Sequence, residues 1–222
     1  MQTSRARRLT AEGVGTALLL AAVVGSGIMG DRLAGGNVAV ALLANTVATA
    51  ATLITLITVL GPVSGAQFNP VVSLWAAATG RLAWREVPGY VLVQVAGALA
   101  GVALAHAMFE LPLVQTSTHV RAGSAQFLSE VVATFGLLLT IAGGVRHRPT
   151  AVAGIVGAYI AGAYWFTAST SFANPAVTLA RSFTDTFAGI RPADVATFAG
   201  AQVVGLVLAT PLTTWLFPPV EP

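Results

Sequence analysis

Two stretches, SGAQFNPVV at residues 64–72 and SFANPAVTL at residues 171–179, share an Asn-Pro pair, and the fold turns on how they are read. Asn69-Pro70-Val71 and Asn174-Pro175-Ala176 are helix starts with a mechanism. An Asn side-chain oxygen accepts from the first free backbone N–H groups, and Pro fits the first helical position because its φ is already set and no N–H is needed there. The apolar runs that follow, Val71 to Thr79 and Ala176 to Phe183, suit two or three helical turns. About 10 residues at 1.5 Å each reach roughly 15 Å, half of a hydrocarbon core of about 30 Å. Two such pieces meeting end to end would complete one crossing.

The composition supplies the membrane. Of 222 residues, 55% are hydrophobic and 9% charged, against about 25% charged in a soluble domain. The mean hydropathy is +0.80. The formal charge of +3 comes from eleven arginines and no lysine, a balance that reports orientation in a membrane chain and gives no reason to expect a nucleic-acid partner. With no cysteine there is no disulfide, thiolate metal site or thiol catalysis, and His106, His119 and His147 are too scattered for a metal motif. Neither a metal nor a cofactor is expected. Arg5, Arg7 and Arg8 precede an apolar stretch too long for a signal peptide, and it is read as a retained first span.

Apolar segments fall at about 9–29, 38–60, 87–108, 126–145, 150–168 and 193–217. Each is near the roughly 20 residues that a span needs. The Asn-Pro segments sit between spans two and three and between spans five and six. They read as re-entrant half-helices, tolerated where irregular backbone is buried in protein or lines a watery cavity. The halves echo one another: AEGVGTALLL (11–20) matches SEVVATFGLL (129–138), and VQVAGALAG (93–101) matches AQVVGLVLA (201–209). These align Glu12 with Glu130, Gln94 with Gln202 and Gly97 with Gly205. Three spans per half is odd, so the second half enters the membrane upside down. The expected architecture is all-α: one channel domain over 1–222, with repeat one at about 9–108 and repeat two at about 126–217. Counting arginines, seven lie on the side of the termini and three opposite, which places both termini in the cytoplasm of a cell with this protein in its inner membrane.

Glu12 and Glu130 lie near the starts of spans one and four, where a charge costs at least about 2.5–3.5 kcal/mol, so each needs a partner or a function. Small residues at Ala96-Gly97-Ala98 and Gly154 to Ala158 permit close helix approach.

The chain resembles the aquaporins, or major intrinsic proteins, from Glu12 to Phe217. The resemblance rests on Glu12 in AEGVGT, Ser64-Gly65 ahead of Asn69-Pro70, Gln94, Glu130, Gly162 and Asn174-Pro175-Ala176. It implies six spans and two half-helices around an hourglass pore, a homotetramer, and passive conduction of water or small uncharged solutes, with no enzymatic activity. As in pores of that type, opposed half-helix dipoles would repel cations at the midplane. It also implies that Glu12 and Glu130 accept from the backbone of the re-entrant loops. Val71 stands where the first motif usually has Ala, and Pro62 and Gln67 stand where water-selective relatives carry His.

The larger departure is Val177. Most members carry Arg directly after the second Asn-Pro-Ala, as one wall of the narrowest part. Ungapped counting from the two Asn puts the remaining filter positions at Thr49, Gly162 and Ser171. Thr49, Gly162, Ser171 and Val177 are small and uncharged, so the expectation is a wide filter that discriminates poorly against solutes larger than water. Arg181, one helical turn past Val177, is read as snorkelling to the outer interface, with a place in the vestibule as the alternative. The run NPAVTLARSFTDTFAGI resembles bacterial members associated with arsenic resistance, which implies arsenite and methylated arsenicals alongside water or glycerol. The rival reading is an ion- or proton-coupled secondary transporter, which also uses inverted repeats and broken helices. Its coupling would need ionisable residues near the Asn-Pro pairs, and none stands there.

Overall fold

The computed structural model describes residues 3–218, and the outermost residues of the expected domain, 1–2 and 219–222, lie outside them. Every regular element among the described residues is helical. The order is α1 (Arg5–Leu33), α2 (Val38–Ser64), α3 (Pro70–Ala78), α4 (Val87–Met108), α5 (Ser124–His147), α6 (Val152–Phe166), α7 (Pro175–Ala180) and α8 (Pro192–Leu216). Six of them, all but α3 and α7, are long and apolar enough to cross a bilayer, α4 and α6 together with the short 3-10 turns that precede them. The protein is a multi-pass membrane protein, and its two short helices are the expected half-crossings.

Helix limits follow capping more than hydropathy. α1 begins four residues ahead of its apolar stretch, because Ser4 Oγ accepts from the Arg7 N–H and arginine is a good helix former. α2 starts where Asn37 Oδ1 accepts from Ala39 and Val40 at 3.1 and 3.3 Å. α7 is shorter than the run Ala176–Phe183 suggests. It closes at Ala180 into a 3-10 turn over Arg181–Phe183, where the Ile190 N–H bonds the Arg181 carbonyl.

The long helices pack in matching pairs, α1 on α4 and α5 on α8. The backbones come so close that a Cβ on Gly97 would lie 2.2 Å from the Gly13 carbonyl oxygen. One on Gly205 would lie 2.7 Å from that of Val131. Small residues at these crossings permit the contact that drives helix association in lipid. The core divides accordingly. One cluster gathers Leu20, Val24 and Val102 around α1 and α4. The other gathers Trp75, Leu138 and Ile160 around α3, α5 and α6. Outward positions such as Val59, Leu92 and Val207 are apolar and exposed, as a lipid-facing surface requires.

Candidate functional site

The site begins at the two Asn-Pro pairs. Asn69 and Asn174 have nearly the same extended backbone, φ −156° and −157°. Asn69 Oδ1 accepts from the Val71 N–H at 3.0 Å, and Asn174 Oδ1 accepts from Ala176 and Val177 at 3.0 and 3.3 Å. Each amide then reaches across. Asn69 Nδ2 donates to the Ala173 carbonyl at 2.7 Å, and Asn174 Nδ2 donates to the Phe68 carbonyl at 2.8 Å. The reciprocal bonds hold α3 and α7 tip to tip. An amide nitrogen has two hydrogens. One is committed to the opposite loop, and the other is available to whatever occupies the cavity that both Asn residues line.

The loops ahead of each Asn are strained, with Ala66 and Phe68 at φ +48° and +50°, and Thr170, Ser171 and Ala173 at +61°, +52° and +47°. Non-glycine residues persist there only when their surroundings over-determine them. Two buried carboxylates do so. Glu12 Oε1 accepts from Ser64 Oγ and the Gln67 N–H, and its Oε2 from the Phe68 N–H and Gln94 Nε2, all at 2.7–2.9 Å. Glu130 repeats the arrangement with Ser169 Oγ, the Phe172 and Ala173 N–H groups and Gln202 Nε2 at 2.6–2.9 Å. Four donors on each carboxylate offset the desolvation of a buried charge. Gln94 also donates to Ser73 Oγ and Gln202 to Thr178 Oγ1, so each ties a carboxylate to its half-helix.

Between the two core clusters runs a cavity of about 140 Å³. It shares the lining residues Gly65, Gln67, Val72, Ile141 and Val145 with a second cavity that opens among Arg8, Arg81 and Arg85, so the two adjoin. Of the four positions expected at the narrow part, Thr49, Ser171 and Val177 line the cavity and Gly162 does not. Gly162 is exposed on the outer side of α6. The inward face of α6 carries Val152, Val156, Ile160 and Tyr164, a four-residue repeat, and Gly162 lies about 200° round the helix from Ile160. Ungapped counting back from Asn174 therefore runs two residues past the cavity-facing Tyr164, whose hydroxyl bonds Thr49 Oγ1 at 3.4 Å. The periodicity of α6 carried that signal.

Arg181 also departs from expectation. It does not reach the interface but is 3% exposed and lines the cavity. Its guanidinium lies 3.4 Å from the centroid of the Phe172 ring, and its Nε donates to the Ala188 carbonyl. The tight turn that ends α7 redirects the side chain inward. The wall is thus not free of charge, as the four small residues suggested: the cation absent at position 177 stands one turn later. Arg121 is also buried against the Phe172 ring, at 5.0 Å from its centroid, and donates to the Gly189 and Ser169 carbonyls, a structural role that nothing in its loop sequence announced. Nearby, in the connecting segments outside the membrane helices, Thr118 donates to Asp185 through both N–H and hydroxyl, at 2.8 and 2.9 Å. These bonds hold the Asp185 carboxyl below its ordinary range. Among the described residues no group of three or more His, Asp or Glu is placed to hold a metal.

Comparison with known proteins places this geometry in a family. The model of the major intrinsic proteins matches residues 1–170. Aquaglyceroporin AqpS of Rhizobium meliloti is 59% identical over 216 residues, covering 97% of this chain and 92% of that protein. Aquaporin Z of Rhodopseudomonas palustris is 31% identical over 158 residues, covering 64% and 60%. The crystal structure of the aquaglyceroporin from Plasmodium falciparum superposes with a TM-score of 0.73 over 97% of this chain and 96% of its own, at 22% identity, a likeness of fold. With its opposed Asn-Pro half-helices, paired carboxylate clamps and six spanning helices, the chain belongs to the major intrinsic protein family of passive membrane channels, which are not enzymes.

Proposed function

We propose that the protein is a passive channel for small uncharged solutes, arsenite and methylated arsenicals as well as glycerol and water. It would act as a homotetramer in the inner membrane with both termini cytoplasmic. The observation that carries this reading is Val177, which follows Asn174-Pro175-Ala176 directly and presents a short hydrocarbon to the cavity. Around it the wall is largely apolar, interrupted by the two Asn amides, a few hydroxyls and the Arg181 guanidinium one turn on. Such a surface suits compact neutral molecules that carry several oxygens on a small frame. Arsenite in its neutral form resembles a small polyol in this respect. Thr49, Ser171 and Val177 serve as filter positions, with Tyr164 in the place first given to Gly162.

The test is a transport panel in proteoliposomes, with water, glycerol, arsenite and a methylated arsenical followed in the native protein and in Val177→Arg. A long cationic side chain at that wall should reduce flux of the larger solutes by at least about tenfold, the effect of roughly 1.4 kcal/mol of added barrier, while water falls less. Equal flux of large solutes in both proteins would sink the filter assignment. Flux that changes when the proton gradient is collapsed would instead favour coupled transport.

A further inference from the structure

Arg181 has no carboxylate within ion-pair distance among the described residues; the ion pairs there are those of Glu86 and Asp194. Its Nε is held by Ala188 and its face by Phe172. Neither terminal nitrogen makes a hydrogen bond to the protein, and neither is among the fully enclosed polar atoms without a partner. A guanidinium is planar, permanently charged and forked, so its free edge is suited to two oxygens side by side. On the same cavity wall, Ser171 is 3% exposed and its Oγ is buried with no partner in the protein. A buried hydroxyl left unpaired costs about 1–3 kcal/mol unless something else satisfies it. Thr49 and Tyr164, hydrogen-bonded to each other, line the same cavity.

We infer that Arg181 is a specificity-determining residue of this channel. Its free edge receives paired oxygens of a passing solute while Ser171 Oγ meets a further hydroxyl, and its fixed charge repels cations ahead of the Asn pair. The inference rests on the channel reading above and deepens it by naming the solute class: small molecules with two hydroxyl or oxo groups on one atom or on neighbouring atoms. Phe172 and Ala188 hold the guanidinium in one orientation, so little side-chain entropy is lost when a solute docks.

The experiment compares native protein, Arg181→Met and Arg181→Lys in proteoliposomes, reading glycerol flux, urea flux and potassium conductance together. Glycerol offers neighbouring oxygens and urea offers paired N–H donors, so a role in recognition appears in their ratio. Arg181→Met should lower the glycerol-to-urea ratio by about tenfold, as loss of one hydrogen bond to a charged group implies, and should raise potassium conductance. Arg181→Lys keeps the charge but not the fork, so it should still exclude potassium while losing most of the ratio. A purely structural arginine would lower all fluxes together with the amount of folded protein, leaving the ratio unchanged. That outcome, or an unaltered ratio in Arg181→Lys should the Met variant fail to fold, overturns the inference. Absence of any solute flux in the native protein would instead count against the channel reading itself.

Discussion

Replacing Glu12 by Gln isolates the charge that holds the first re-entrant loop, because shape is nearly conserved while one acceptor oxygen becomes a donor. The carboxylate accepts from four groups, two at each oxygen. The new amide must turn its NH₂ to one pair. If it faces Ser64 Oγ and the Gln67 N–H, the hydroxyl rotates to accept but the backbone N–H is stranded. If it faces the Phe68 N–H and Gln94, the latter flips its amide, using an oxygen that has no partner in the native protein. Phe68 N–H is then stranded. Either way one buried backbone donor is orphaned, at about 1–3 kcal/mol, and the surviving bonds lose their charge assistance. The total is about 2–4 kcal/mol. At about 2–4 °C per kcal/mol for a chain of this length, the unfolding midpoint in detergent should fall by about 5–15 °C. Solute flux should fall with it, since Asn69 follows Phe68 directly. Glu130→Gln should cost the same, because its oxygens are shared among Ser169, Phe172, Ala173 and Gln202 in the same pattern. A midpoint within 2 °C of native for Glu12→Gln, a margin well under the roughly 4 °C that even a 2 kcal/mol loss would bring, would refute the reasoning.

Alongside the Val177 and Arg181 variants, two further outcomes are expected. Gly15→Ala places a methyl 2.1 Å from the Phe68 ring, so it should displace the loop and cost about 1–3 kcal/mol with a matching loss of flux. The double variant Gly15→Ala, Phe68→Ala reproduces the small pair that repeat two uses at Ala133 and Ala173, and should recover part of both; no recovery would show that the ring is not the obstacle. Asp185, whose carboxyl Thr118 holds below its ordinary value, contributes stability that is complete above about pH 4. That contribution is lost as the pH falls through the lowered folded value. Asp185→Asn should therefore be less stable than native at neutral pH, with the gap closing in acid, as read from unfolding midpoints at several pH values.

Much of the fold lay open in the chain. Spans were legible because lipid demands about 20 apolar residues at a time, and the half-helices because Asn-Pro caps a helix by purely local chemistry. That Glu12 and Glu130 hold the re-entrant loops was implied by the family resemblance, and the duplication assigned one carboxylate to each loop. Rotation about a helix axis was harder to read. Gly162 failed because a count across a loop tolerates no slip, and two residues turn α6 by about 200°.

The linear pattern of caps, apolar runs and repeated motifs thus determines the spans, the half-helices and the inverted repeat, because each of those signals depends only on neighbours in sequence and on the solvent. Which side chains face the pore is decided by tertiary packing. Arg181 enters the cavity because α7 closes at Ala180 and the guanidinium finds Phe172, from the loop before α7, and the Ala188 carbonyl, from the loop after it, contacts that exist only in the folded chain. Val177 could be recognised as a missing charge from the motif alone. That the charge returns one turn later, on the same wall, needed the third dimension.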